Sequence, residues 1–312
     1  MDEAQSFSLV DVCLIMTGII WGVNNVVVKS ALRDFSPLAF NAVRFTFAST
    51  VLCLIVLFTE KSFRVERRDV GRIVITGILG NTLYQILYIN GINLSTAGNI
   101  TVMLALMPVC VAILAKLFGG EDIRPLGWAG ILVSLAGVVI VALGSGAKLD
   151  FSSRTLRGDL MTLTGVFCWS AYTILSKPLV RKYSPARVTA LTMVSGTVCL
   201  VLYAIPYLRA QDWMKIRPAS WAGLISSGSL ALVFAYFAWS WGVSKLGGAR
   251  TAVYENIAMV SGVLCSWLIL GENWSVVRFM GAIVTLLGVV AVRWSDMLKR
   301  PRRLDRSPAA RP

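Results

Sequence analysis

The stretch GEDIRPLGWAGILVSLAG at residues 120–137 returns as GENWSVVRFMGAIVTLLG at residues 271–288. Its fixed points are Gly120-Glu121, Gly130 and Gly137, which fall on Gly271-Glu272, Gly281 and Gly288, each 151 positions further on. Working outward, Gly77 and Gly91 recur at the same offset as Gly228 and Gly242. Nearer the front of each unit the offset is 148, with Trp21, Lys29 and Pro37 recurring as Trp169, Lys177 and Pro185. The change of offset places a three-residue length difference between Pro37/Pro185 and Gly77/Gly228. Most of the chain is therefore one unit written twice.

Each copy holds five apolar stretches. They run over 12–28, 38–58, 73–92, 97–118 and 126–144, then 160–176, 188–208, 221–242, 249–270 and 276–294. Each approaches the ~20 residues that cross a bilayer as a helix. Hydrophobic residues make up 56% of the chain and charged residues 15%, with a mean hydropathy of +0.71. A soluble chain carries about 25% charge. The expected fold is an all-α integral membrane protein with ten transmembrane helices. Five is an odd number, so a five-helix unit ends on the opposite side of the membrane from its start. Its copy must then lie inverted, and inverted repeats around a midplane site are an architecture of secondary transporters. The expected divisions are residues 1–146 and 147–296 as the two repeats, and 297–312 as a basic tail.

The net charge of +14 invites a nucleic-acid partner. Topology accounts for it instead. With the N-terminus in the cytoplasm, 20 lysines and arginines fall on inside segments and 9 on outside segments. Positive charge marks the cytoplasmic side, so both termini are expected inside, in the inner (plasma) membrane. Asp2 and Glu3 are acidic and no small-residue cleavage site follows the first helix, which argues against a removable signal peptide. The tail segment KRPRRLDR is read as a topology anchor against anionic headgroups. The six cysteines sit singly in apolar segments, in no metal or disulfide spacing, and read as small packing residues.

Gly130 with Gly137, and Gly281 with Gly288, share one helical face at seven-residue spacing. Small residues there let helix backbones approach closely in lipid. Gly120 and Gly271 end helices 4 and 9, where glycine supplies a left-handed turn. Glu121 and Glu272 fall in short links, where each is expected to cap the next helix or pair with a loop arginine.

The segment WGVNNVVVK with Pro37 and Arg44, then Tyr88, Gly91, Pro108, the Gly-Glu pair and the closing glycines, resembles the EamA-type drug/metabolite transporter superfamily. The second copy resembles it through Gly158-Asp159, Trp169-Ser170, Lys177, AYFAWSWGVSKLGGAR and LILGE. The resemblance runs from Leu9 to Trp294. It implies a ten-helix inverted-repeat fold with a central cavity, and export of small metabolites, often amino acids or related compounds. One departure is Met259, which stands where the repeat would place a mate for Pro108. Helix 9 is therefore expected to run straighter than helix 4, because proline removes a backbone bond.

Polar groups inside the hydrocarbon should face a cavity or each other. Helix 1 carries Trp21 and Asn25 on one face, with Asn24 adjacent, and helix 3 carries Asn81, Gln85 and Tyr88 on one face. Helix 6 carries Trp169, Tyr172 and Thr173, and helix 8 carries Tyr236, Trp239 and Ser240. The repeat pairs Trp21 with Trp169, Gln85 with Tyr236 and Tyr88 with Trp239. These stripes suit a mostly apolar solute pocket with a few orienting polar groups. Interfacial belts and helix-bridging amides are the competing reading.

Glu255-Asn256, about two turns into helix 9, is the sharpest position. An embedded carboxylate there suits a substrate ammonium or an exchangeable coupling proton. The alternative is a structural pair with Arg250, Lys245 or Arg44. Arg44 suits a substrate carboxylate, although snorkelling or pairing with an acid is the preferred reading.

The leading function is a secondary carrier exporting small organic metabolites, amino acids among them, by alternating access. A carrier of lipophilic or aromatic cations is the alternative, and an intramembrane enzyme a remote one. With no histidine in the chain, His-dependent metal sites and Ser-His hydrolases are excluded. No cofactor is expected, and the partners are a small solute and the lipid bilayer. Monomer and homodimer both remain open.

Overall fold

The computed structural model describes residues 8–144, 152–270 and 275–297. Among them the chain forms ten helical spans and no strand. Four are α1 (Leu9–Ala31), α2 (Pro37–Thr59), α3 (Arg67–Leu94) and α5 (Pro125–Gly144). Next come α6 (Ser153–Lys182), α7 (Pro185–Ala210), α8 (Pro218–Leu246) and α10 (Val276–Met297). Two are divided: α4 into Ala97–Ala105 and Met107–Leu117, and α9 into Gly248–Val253 and Glu255–Leu270. The Gly271-Glu272 pair and the tail 298–312 lie outside the described residues.

Local chemistry sets the boundaries. Pro37 and Pro185 open α2 and α7, each after a serine. Proline at a first helical position forfeits no intrahelical bond. Ser184 accepts the Arg187 N–H at 3.1 Å and caps α7. Gly120 and Gly247 turn the chain at φ +60° and +90°, where a side chain would be strained.

Eight of the ten spans are long and apolar enough to cross a membrane. Of the remaining two, α6 is rich in hydroxyls. In α6, Thr162, Ser170 and Thr173 are buried and return their hydroxyls to carbonyls one turn back, at 2.9, 2.7 and 3.0 Å. A polar helix can sit in the bundle because its polar groups are satisfied internally and shielded by α3, α4 and α8.

Packing follows the repeat. α1 lies on α9 as α6 lies on α4, and α8 lies on α1 as α3 lies on α6. The pairs α2–α7 and α5–α10 map onto themselves. Exchanging the two halves therefore reproduces the set of neighbours, as an inverted repeat requires. The closing glycines make the α5–α10 crossing. A Cβ on Gly281 would stand 2.9 Å from the Gly137 carbonyl, and one on Gly130 2.9 Å from the Gly288 carbonyl. Backbones touch there, so the glycines do the packing expected of them.

Three expectations are corrected. First, α9 is not straighter than α4. Leu106 donates to Met103 at 3.2 Å in α4, and Tyr254 donates to Thr251 at 3.2 Å in α9, so both spans tighten to an i→i+3 turn. Pro108 accounts for the first break. The second has no proline, and the Tyr254 side chain is anchored instead to Asp11 of α1. Second, Asn81 does not share a face with Gln85 and Tyr88. Asn81 lies within a π-helical turn at Ile78–Leu83 and donates to the Thr192 carbonyl of α7 at 3.0 Å, whereas Gln85 meets Asn41 of α2. A second π turn at Ser227–Phe234 occupies the repeat-equivalent place in α8. Third, Glu121 caps neither α5 nor a loop arginine. It accepts the N–H groups of Gly248 and Ala249 at 2.7 and 3.1 Å, at the start of α9, and pairs with Lys177 of α6 at 2.9 Å. A carboxylate at a helix N-terminus is favoured by the free N–H groups and the helix dipole.

At the end of the bundle opposite the N-terminus, Asp34 accepts from Arg217 at 2.9 Å and from Ser220 at 2.5 Å. Those bonds and the arginine charge hold the Asp34 carboxyl down to about 2.

Two outcomes follow from this packing. Gly137→Val should destabilise the detergent-solubilised protein by about 1–3 kcal/mol through overpacking, read as a lower melting temperature. Gly71→Val, at a glycine with open space around it, should move the melting temperature little. Asp34→Asn should melt below wild type at neutral pH. A depressed carboxyl stabilises the fold above its unfolded value of 3.8, so the gap should close as pH falls from there toward about 2.

Candidate solute-binding site

The predicted aromatics meet in one cluster at the middle of the bundle. Trp169 is its hub, with ring centroids 5.0 Å from Tyr172, 5.2 Å from Tyr236, 5.6 Å from Trp239 and 6.0 Å from Trp21. Trp21 also lies 5.5 Å from Trp239. The rings come from α1, α6 and α8, so neither repeat builds the cluster alone. Tyr84 of α3 adds a ring 5.3 Å from Trp169 and stacks on Tyr88 at 5.7 Å. Sequence reasoning missed Tyr84, although its one-turn spacing to Tyr88 was a usable signal.

The π turns and their glycines seat these rings. A Cβ on Gly80 would fall 2.5 Å from the Tyr172 ring, so only glycine lets α3 pass there. In the second π turn the Ala231 carbonyl accepts the Trp21 indole N–H at 2.9 Å. Trp239 donates to Thr173 at 3.2 Å, and the Tyr172 hydroxyl lies beside Ser240 and Thr192. The Trp169 indole N–H is buried with no partner among the described residues. A buried unpaired donor is costly, and marks a place where a ligand would be welcome.

The charged candidates flank this cluster. Arg44 is 6% exposed and donates to Ser227 at 2.9 Å and Asn41 at 2.8 Å. Its guanidinium lies over the rings of Phe40 and Phe45, at 5.3 and 5.6 Å. No carboxylate is within ion-pair reach of it among the described residues, and its Nε is buried without a partner. Arg44 therefore neither snorkels nor pairs with an acid. Glu255 opens the second half of α9. It forms no ion pair with Arg250, Lys245 or Arg44 among the described residues, and its Oε2 is buried without a partner.

Arg44 and Glu255 share neighbours. Both lie within electrostatic reach of Tyr84, Tyr88 and Tyr236. Gln85 accepts from Asn41, a partner of Arg44, at 3.4 Å and lies beside the Tyr236 hydroxyl. A cation and a carboxylate thus lie within electrostatic reach of the same tyrosines, and among the described residues neither has a counter-charge.

Two predicted residues stand apart. Asn256 is turned toward α5 and donates to Ser134 at 2.7 Å, a helix-bridging bond. Asn25 is exposed on α1, on the side of α9 that carries Gly262. The neighbouring Asn24 keeps its Oδ1 buried and unpaired. Among the described residues no cluster of histidine, cysteine or acid could hold a metal ion.

Comparison with known proteins points the same way. The model of the EamA-like transporter family matches residues 8–143 and again 156–294. An uncharacterized transporter of Bacillus subtilis (strain 168), YyaM, is 26% identical over 276 residues, covering 88% of this chain and 89% of that protein. An uncharacterized transporter of Archaeoglobus fulgidus is also 26% identical over 276 residues, covering 88% and 94%. A solved crystal structure superposes with a TM-score of 0.79 at 19% identity, over 92% of this chain and 96% of that one, and so shares the fold. With the doubled helical unit and both family segments in place, the chain belongs to the EamA-like transporter family.

Proposed function

We propose that this transporter is a secondary carrier that exports small zwitterionic metabolites, amino acids or close relatives, across the inner membrane by alternating access. One observation carries this reading: Arg44 and Glu255 lie within electrostatic reach of the same three tyrosines, and each keeps a buried atom unpaired. A lone charge sealed from water is strongly unfavourable unless a partner arrives. A solute bearing one carboxylate and one ammonium would satisfy both groups at once. Its apolar part would lie against Trp169, Tyr84 and Tyr236, with the Trp169 N–H and Gln85 as orienting groups.

Glu255 also offers a coupling site. A proton taken up there removes the charge that holds an ammonium, so proton entry and solute release would compete for one carboxylate. Both termini lie in the cytoplasm by the excess of inside lysines and arginines. A carrier rather than an enzyme is proposed, in keeping with the transporter family.

A lipophilic-cation carrier is the second reading, favoured by the ring cluster beside Glu255, since cations bind well to aromatic faces. Against it stands Arg44, which such a solute would leave unpaired and would approach against like charge.

Proteoliposome counterflow with a labelled amino-acid panel decides between them. Wild type should show saturable counterflow that responds to an imposed pH gradient. Glu255→Gln should lower it by roughly tenfold or more, the scale of one lost charge-assisted hydrogen bond, and abolish the pH response. Arg44→Gln should lower amino-acid counterflow comparably. Saturable uptake of a quaternary ammonium, with no counterflow of any amino acid, would replace the zwitterion reading with the cation one.

A further inference from the structure

Asp11 is completely buried at the N-terminal end of α1, and the central site does not use it. It gathers three elements. Arg293 of α10 contacts both its oxygens, at 2.7 and 2.9 Å. The Tyr254 hydroxyl, at the turn of α9, donates to it, and Ser8 donates its N–H at 2.8 Å. Its repeat mate, 148 positions on, is Asp159 of α6, in register with Trp21 and Trp169. Inversion puts that acid at the opposite end of the bundle. There Asp159 accepts from Ser95 at 2.5 Å and from Asn99 at 2.7 Å, tying α6 to the end of α3 and the start of α4.

The two acids share one equivalent helix contact, α1 to α9 and α6 to α4, and differ in the second, where Asp11 reaches α10 and Asp159 reaches the end of α3. Asp11 faces an arginine and a tyrosine, whereas among the described residues Asp159 accepts only from the neutral Ser95 and Asn99. A charged donor adds Coulomb attraction to a carboxylate that a neutral donor lacks. Tyr254 also directly precedes Glu255, so the α9 turn carries a latch contact on one residue and the central carboxylate on the next.

We infer that Asp11, Tyr254 and Arg293 form the latch of a gate at the N-terminal end, that Asp159 with Ser95 and Asn99 forms its weaker mate at the far end, and that this imbalance keeps the N-terminal end closed at rest. Opening that end requires α1 to part from α9 and α10, which breaks the contacts of Asp11 together. Opening the far end requires α6 to part from α3 and α4, which breaks the bonds of Asp159 to Ser95 and Asn99 and no ion pair of that acid. The repeat supplies two gates of one design, and the substitution of side chains around one aspartate sets the bias between them. The gate assignment stands without the zwitterion reading, because no solute enters it.

Hydrogen–deuterium exchange on the full chain in nanodiscs tests it. Tyr254→Phe keeps the ring and removes only the latch hydroxyl. It should speed amide exchange about tenfold over residues 9–18 and 250–258, the scale of one bond to a charged group. Exchange over residues 95–99 and 155–162 should slow, because opening one end closes the other. Arg293→Gln should act in the same direction, and Asp159→Asn in the opposite one. Equal acceleration at both ends of the Tyr254→Phe protein would mean general loosening and overturn the gate. Unchanged exchange at the N-terminal end in both Tyr254→Phe and Arg293→Gln would overturn it as well.

Discussion

A buried cation and a half-buried carboxylate, each short of a counter-charge among the described residues, are the constraint around which the molecule is arranged. In water neither would matter. Among helices facing lipid, an isolated charge is tolerated only where protein surrounds it and function requires it. Arg44 is cushioned by Phe40 and Phe45 and partly satisfied by Asn41 and Ser227. Glu255 has no comparable support among the described residues. The aromatic cluster near them would give an apolar solute a surface to lie on.

The repeat makes this arrangement buildable, and local breaks make it asymmetric. Gly77, Gly91, Gly130, Gly137, Gly281 and Gly288 bring backbones into contact, whereas Gly228 and Gly242 make room for the Phe47 and Leu14 side chains. Paired π turns in α3 and α8 then redirect the rings that follow them. Such turns cluster at functional sites because an extra residue in the helix reorients a side chain and frees a carbonyl. The breaks in α4 and α9 fall near equivalent places, yet one rests on proline and the other on a tertiary contact. Glu255 has Leu104 as its repeat mate, so the charge at the centre belongs to the second half alone.

Much of the fold was legible in the sequence. Ten apolar stretches of bilayer length, doubled at fixed offsets, leave an inverted all-helical bundle as the economical arrangement, and the glycine pairs name the α5–α10 contact. The ring cluster was legible as four stripes, because Trp21, Trp169, Tyr236 and Trp239 stand in repeat register. What escaped was local. The π turns carry no propensity signal, and they alter which side chains share a face, so Asn81 left the stripe assigned to it. The α9 turn depends on Tyr254 reaching Asp11, some 243 residues away, which periodicity cannot show. Asn256 looked like part of a site because it adjoins Glu255, but one step along a helix is a turn of about 100°, and it faces Ser134 instead.

The central claim is that one solute answers both Arg44 and Glu255. Calorimetric titration of the solubilised wild-type protein tests it most directly, using leucine, leucine methyl ester and N-acetyl-leucine. Two poles predict that leucine binds and that each blocked analogue, having lost one charge, binds at least about tenfold more weakly. Equal affinity for leucine and either analogue, or no binding of leucine at all, would contradict the account.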